Sequence, residues 1–243
     1  MNDRSKEYSA RDLSGQPEMD YPDYGSTIHR HPSHNLIVLP QSMADVTSPV
    51  FGQLDLGVNE SDLIINFASS GASAIGERIL VHGRALDEAG RPVANALIEV
   101  WQANAGGRYR HKNDAYLAPL DDNFGGCGRC VTNDDGYYHF RTIKPGPYPW
   151  PNGGNDWRPA HIHFSIFGSG FAQRLITQMY FEGGPHIAIC PIVQTIKDPR
   201  AIDQLVARLD MANSIPMDLR AYRFDLVLRG PKSTLFENKL EGN

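Results

Sequence analysis

The chain has 243 residues, 41% of them hydrophobic, and its 28 acidic against 23 basic side chains give a formal net charge of −5. That balance excludes a basic stripe for nucleic acid, and no apolar run reaches the length of a membrane-spanning helix. The length accommodates one large domain or two small ones with a full core.

The first fourteen residues are polar and charged, without the apolar stretch of a secretory signal, and the three cysteines cannot all pair within the chain. Both features point to a reducing, cytoplasmic location. Residues 1–35 carry Pro17, Pro22 and Pro32 among charges and three histidines, His29, His31 and His34, with no stable periodicity. They read as an extended arm ahead of a single domain over 36–243. Such an arm orders only by lying on something, and a partner subunit serves as well as the chain's own core. With Pro32 inside the histidine cluster and no supporting acid, these imidazoles read as exposed or interface side chains.

Leu36–Leu39 has strand character, and Ser61–Phe67 is ambiguous between a helical turn and a strand. Arg78–Ala85 and Ala96–Gln102 read as strands, and Gly90 and Pro92 mark a turn between them, so a hairpin is predicted. Gly106 and Gly107 open a long polar loop to Asp122, which Asn123–Gly128 continues. Cys127-Gly-Arg-Cys130 has the spacing of a redox pair but no clear helix after it, so a structural or incidental role is expected. Cys190 reads as a buried small side chain. Asn133–Gly136 is a predicted turn and Tyr137–Arg141 a strand, followed by strands at Ala160–Phe167, Leu175–Phe181 and Tyr222–Leu228. A helix is predicted from Asp198, whose carboxylate can cap free amides, with Pro199 at the first turn, where it loses no hydrogen bond. Ile202, Leu205, Val206 and Leu209 then fall on one side at helical spacing. Many short strands joined by Gly- and Pro-rich loops indicate an all-β fold, a two-sheet β-sandwich with long loops and one or two short helices.

The run from Tyr148 to Phe164 concentrates the chemistry. Alternation places His161 and His163 on one face of a strand, with Cα atoms roughly 7 Å apart, and Ile162 and Phe164 on the other. Two such imidazoles are either a metal pair or two satisfied or solvent-facing histidines, and the spacing alone leaves both open. Zinc spacings such as His-Glu-x-x-His are missing. The neighbourhood offers phenols instead, Tyr148 and Tyr109. A phenol with a pKa of about 10 becomes a ligand at neutral pH only where a strongly charged cation displaces its proton. Ferric iron is such a cation, and two tyrosinates with two neutral histidines would leave it a net positive charge for an anionic substrate.

Three segments, Ile75–Arg84, Asn95–His111 and Tyr148–His163, closely resemble the intradiol ring-cleaving dioxygenases, and the likeness runs from about Asp23 to Asn238. The resemblance implies a sandwich core with non-haem Fe(III), one per chain, held by Tyr109, Tyr148, His161 and His163. Tyr148 would be the axial tyrosinate that leaves as a catechol binds and then accepts a substrate proton. Arg158 would stabilise negative charge that builds on the substrate ring. Gln178 would fix Arg158 and the iron ligands, although a glutamine on a sheet face needs no function. Tyr24, Trp101, Trp150 and Ile192 would wall the pocket of the aromatic substrate. Arg108 and Arg110 would supply charge, for substrate attraction or for subunit contact. The implied reaction is cleavage of 3,4-dihydroxybenzoate by dioxygen to 3-carboxy-cis,cis-muconate, with a homologous alpha chain sharing the active site in a hetero-oligomer. Two alternatives stand beside it. One is the same chemistry on catechol by homodimeric relatives, which carry a long helical N-terminal domain. The other is a non-catalytic sandwich, either an alpha-type subunit or a transthyretin-like binding module. The four ligand positions and Arg158 argue against the second.

Overall fold

The computed structural model describes residues 17–34, 56–154, 156–167, 174–228 and 233–235. Among these, strands β1 (Arg78–Leu86), β2 (Leu97–Gln102), β3 (Cys127–Val131), β4 (Tyr137–Ile143), β7 (His161–Phe167), β8 (Arg174–Phe181), β9 (Val206–Ile215), β10 (Leu219–Arg223) and β11 (Leu226–Val227) form one hydrogen-bonded system. Its order is β11-β1-β10-β9-β8-β7-β2-β3, with β4 on the free edge of β1. A separate two-stranded ladder joins β5 (Tyr148–Pro149) to β6 (Trp157–Arg158). The seam is β9, whose first two residues pair parallel with β8 while Arg208 onward pairs antiparallel with β10. The sheet therefore folds back on itself as a sandwich.

Strand alternation decides what faces the core. On β7, Ile162, Phe164 and Ile166 are buried in the main apolar cluster beside Ile79, Val81 and Phe140 from the opposite layer. The Phe140 and Phe164 rings meet with centroids 5.8 Å apart. Each such side chain contributes roughly 1.5–3 kcal/mol by leaving water. His161 and His163 consequently occupy the outer face of the same strand. On β8 the outward residues are Gln178 and Tyr180, and Tyr180 lies in a second apolar cluster with Cys190, Val193, Ala201 and Leu205. Two short helices, Pro191–Gln194 and Pro199–Asp203, supply that cluster. No helix among the described residues is long and apolar enough to cross a membrane.

Several local expectations are corrected. The Asp87–Pro92 turn forms, with Asp87 accepting from the Ala89 and Arg91 amides, but β1 and β2 do not pair. Only an isolated bridge joins Leu86 to Pro92, because β4, β10 and β11 take the edges of β1 while β3 and β7 take those of β2. The Asp198 cap is present, accepting from the Arg200 amide. The helix nevertheless stops at Asp203, and Val206 and Leu209 lie on β9. Ile202, Leu205 and Val206 do pack together, since a single turn followed by a strand satisfies the same short spacing, and pairing of β9 with two neighbours outweighs helix continuation.

Cys127 and Cys130, read as loop and possible pair, lie on strand β3; one is exposed, the other buried, and both are free thiols. Burial pushes the Cys130 thiol up to about 12, which keeps it unreactive. Tyr222–Leu228 is broken into β10 and β11, and Ser61–Phe67 is a set of turns with one bridge at Asp62. The strand expected at Leu36–Leu39 lies outside the described residues. Within the predicted arm, Gly25–His29 is a short 3-10 helix.

Candidate metal centre

Five segments converge on the outer face of β7. The ladder register aligns Trp101, His163 and Gln178 in one row across β2, β7 and β8. Trp101 stacks on the His163 ring at 4.8 Å with planes 4° apart, which fixes that imidazole from the side. The His161 and His163 rings stand 4.9 Å apart at 71°. His161 is buried, and its Nδ1 lies 2.6 Å from the Pro159 carbonyl oxygen. A carbonyl only accepts, so Nδ1 carries the proton and Nε2 keeps its lone pair. Burial first, then the charge of Arg158 and the neighbouring His163, hold the His161 pKa well below its usual value. The imidazole is therefore neutral at neutral pH, the form that binds a metal.

Tyr109 rides on the long loop after β2, which hydrogen bonds sew down on both sides of it. The Tyr109 amide donates to Asp114 Oδ2 at 2.8 Å, and the Gly106 and Arg108 amides donate to Asn104 Oδ1 at 2.9 and 3.0 Å. Arg108 Nη1 donates to the Ala118 carbonyl, and Arg110 donates to the carbonyls of Asp121 and Phe124. The charged side chains flanking Tyr109 thus pin its loop, a job that neither expectation for them included. Tyr109 Oη ends 3.4 Å from His161 Nε2. Two donors each about 2 Å from one ion sit about 2.8–3.5 Å from each other, so this separation suits a shared cation.

Tyr148 comes from β5, directly opposite Arg158 on β6. Its ring is 5.4 Å from Tyr109, edge to face, and 5.6 Å from His161. What lets the two tyrosine loops touch is Gly107, at φ +81°, where an added Cβ would fall 2.2 Å from the Pro147 carbonyl oxygen. Among the described residues, no group of three or more His, Cys, Asp or Glu side chains is placed to hold an ion. The convergent donors are two phenols, hard oxygen ligands once a strongly charged cation displaces their protons, and two borderline imidazoles; the set fits a trivalent iron and offers nothing to a thiolate-seeking metal.

Arg158 is buried, donates through Nη2 to Gln178 Oε1, and lies over the Trp150 ring at 5.8 Å. Gln178 Oε1 also accepts from Tyr180 Oη at 3.0 Å. A cavity of about 810 Å³ opens beside the two phenols, lined among others by Trp101, Tyr109, Tyr116, Tyr148 and Trp150. Tyr24, from the N-terminal segment, does not line this cavity itself but stands edge-on at 5.4 Å to Trp150, which does. Ile192 does not line this cavity and instead packs on the cluster around Tyr180, whose ring is 6.1 Å from His161. The contributions of Asn104, Asp114, Gly107 and Tyr180 are not visible in the sequence; the Gly106-Gly107 pair is a signal, but it reads simply as the opening of a long loop.

The Dioxygenase family model matches residues 46–230, and a model described as protocatechuate 3,4-dioxygenase beta subunit N terminal matches residues 9–42. The protocatechuate 3,4-dioxygenase beta chain of Burkholderia cepacia is 49% identical over 93% of this chain and 96% of its own length. A protocatechuate 3,4-dioxygenase alpha chain from Pseudomonas putida is 34% identical over 67% of this chain and 77% of its own. Among solved structures, hydroxyquinol 1,2-dioxygenase from Pseudomonas putida DLL-E4 aligns with a TM-score of 0.52 at 25% identity, covering 83% of this chain and 69% of that one. The chain belongs to the intradiol ring-cleavage dioxygenase family, whose enzymes use non-haem iron.

Proposed function

We propose that this chain is the iron-holding subunit of an enzyme that opens 3,4-dihydroxybenzoate between its two hydroxylated carbons, giving 3-carboxy-cis,cis-muconate with both atoms of dioxygen. The observation that carries the reading is the convergence of Tyr109, Tyr148, His161 and His163, whose two phenols line a cavity large enough for a small aromatic acid. The near full-length likeness to a protocatechuate 3,4-dioxygenase beta chain supports the substrate.

Tyr109, Tyr148, His161 and His163 would hold a ferric ion, which would supply a hard Lewis acid favouring a chelating, ionised catechol. The chain's own residues do the rest. Tyr148 would yield its place to the substrate, and its phenolate oxygen would accept one of the catechol protons. Arg158, oriented by Gln178, faces the developing negative charge on the ring and is worth most in the transition state. Trp101 and Trp150 wall the ring, Tyr24 backs Trp150, and Ile192 backs the site through the cluster at Tyr180. An alpha chain of related sequence completes the pocket in a cytoplasmic hetero-oligomer, with residues 1–35 as arm and 36–243 as one catalytic domain; the alpha-chain relative supports the partnership.

Oxygen uptake by the chain co-expressed with an alpha chain tests the reading. The expected result is one dioxygen consumed per protocatechuate, with 3-carboxy-cis,cis-muconate as product; a preference for unsubstituted catechol would contradict the substrate.

A further inference from the structure

Asn152 sits in the turn between β5 and β6, in Pro-Asn-Gly-Gly, where an asparagine needs no purpose beyond turning the chain. Its amide, however, reaches across to the N-terminal segment. Oδ1 accepts from the Gly25 amide at 2.8 Å, and Nδ2 donates to the Asp23 carbonyl at 2.8 Å, residues 127 and 129 positions earlier. The planar amide thus imitates a neighbouring peptide, offering one donor and one acceptor to the main chain on either side of Tyr24. Nδ2 also donates to Asp156 Oδ2 at 2.7 Å, and that oxygen accepts from the Gly153 amide, so the clasp is anchored in its own hairpin.

The segment that it holds is preorganised. The buried Thr27 hydroxyl accepts from the Tyr21 amide at 2.9 Å and lies 2.8 Å from the Tyr24 carbonyl, while the Arg30 guanidinium covers the Tyr24 ring at 4.6 Å. A tight turn therefore presents Tyr24, and Asn152 ties that turn to the loop bearing Trp150. A second polar link, Lys197 with Glu18, joins exposed side chains, where solvent screens it.

We propose that Asn152 is a positioning residue for substrate binding, clasping the backbone at Asp23 and Gly25 so that Tyr24 stands edge-on to Trp150 and holds that ring in the cavity wall. The inference rests on the substrate pocket proposed above. An aspartate cannot replace it fully, because it lacks the donor for Asp23 and sets a second carboxylate against Asp156.

The test uses the iron-loaded chain assembled with its alpha partner, in wild-type, Asn152→Leu, Asn152→Asp, Tyr24→Ala and Asn152→Leu/Tyr24→Ala forms. Loss of the two backbone hydrogen bonds that hold Tyr24 behind Trp150 should raise the Michaelis constant for protocatechuate about tenfold, with turnover within about twofold of wild type. Asn152→Asp, which keeps the acceptor for Gly25, should fall between and serves if the leucine disturbs the hairpin. Hydrogen exchange in the peptide containing Gly25 should accelerate in Asn152→Leu and less in Asn152→Asp, and the double variant should be no worse than Tyr24→Ala alone. Additive effects of the two substitutions, or unchanged exchange at Gly25, would overturn the clasp. If wild type fails to turn over protocatechuate, the substrate assignment falls, while the exchange measurement still decides whether Asn152 holds the segment.

Discussion

Tyr148 and Arg158 are directly opposed in the two-residue ladder of β5 and β6. The phenol proposed to leave the iron and the guanidinium proposed to stabilise the transition state are thereby set by one small element. Arg158→Ser should lower turnover by roughly a hundredfold to a thousandfold, the cost of one well-placed electrostatic donor, with iron content unchanged. Lysine should restore part of the rate, since it keeps the charge without the planar fork. Steady-state and single-turnover kinetics check this; a serine variant with normal turnover and only a raised Michaelis constant would assign Arg158 to docking.

Gln178 accepts from both Arg158 and Tyr180 through one oxygen. Gln178→Leu removes that shared acceptor from two buried groups, at a cost of about 1–3 kcal/mol. The melting temperature should fall and turnover should drop in the pattern of the Arg158 variants. A variant as active and as stable as wild type would reduce Gln178 to a sheet residue.

The loops of Tyr109 and Tyr148 meet only because Gly107 has no side chain. Gly107→Ala would place a methyl group against the Pro147 carbonyl at a positive φ, itself costing about 1–2 kcal/mol for an L-residue, and would push the two phenols apart. Elemental analysis of the purified variant should find much less iron than in wild type. Full iron content would show that the loops have slack.

Much of the site is legible in sequence because it depends on short-range geometry: alternation on a strand puts His161 beside His163, and that holds whatever the strand's neighbours. The cap at Asp198 is legible for the same reason. Pairing partners are not. The turn at Gly90 has hairpin chemistry, yet β1 and β2 go to different neighbours, a choice made by which edges other strands fill. The helix after Pro199 misleads likewise, since Ile202, Leu205 and Val206 meet in space through a turn and a strand. Asn152 was hidden because its partners lie more than a hundred residues away.

His82 tests the opposite layer of the sandwich. It is buried, with Nε2 3.1 Å from Asp210 Oδ2, and burial outweighs the carboxylate to hold its pKa below the usual value. The unfolded chain therefore binds the proton more readily than the fold, so stability is present above a pH of about 6.5 and declines as pH falls below it. Replacing His82 with Gln should lessen the drop in melting temperature between neutral and mildly acid pH. An unchanged drop would place the acid sensitivity elsewhere.

The most direct measurement is the visible absorption spectrum of natively purified protein together with its metal content. Tyrosinate bound to ferric iron predicts a coloured protein with one iron per chain, a band that shifts with iron retained in Tyr148→Phe, and loss of metal in His161→Ala. Stoichiometric zinc without iron, or a colourless iron-free protein, would contradict the site built from Tyr109, Tyr148, His161 and His163.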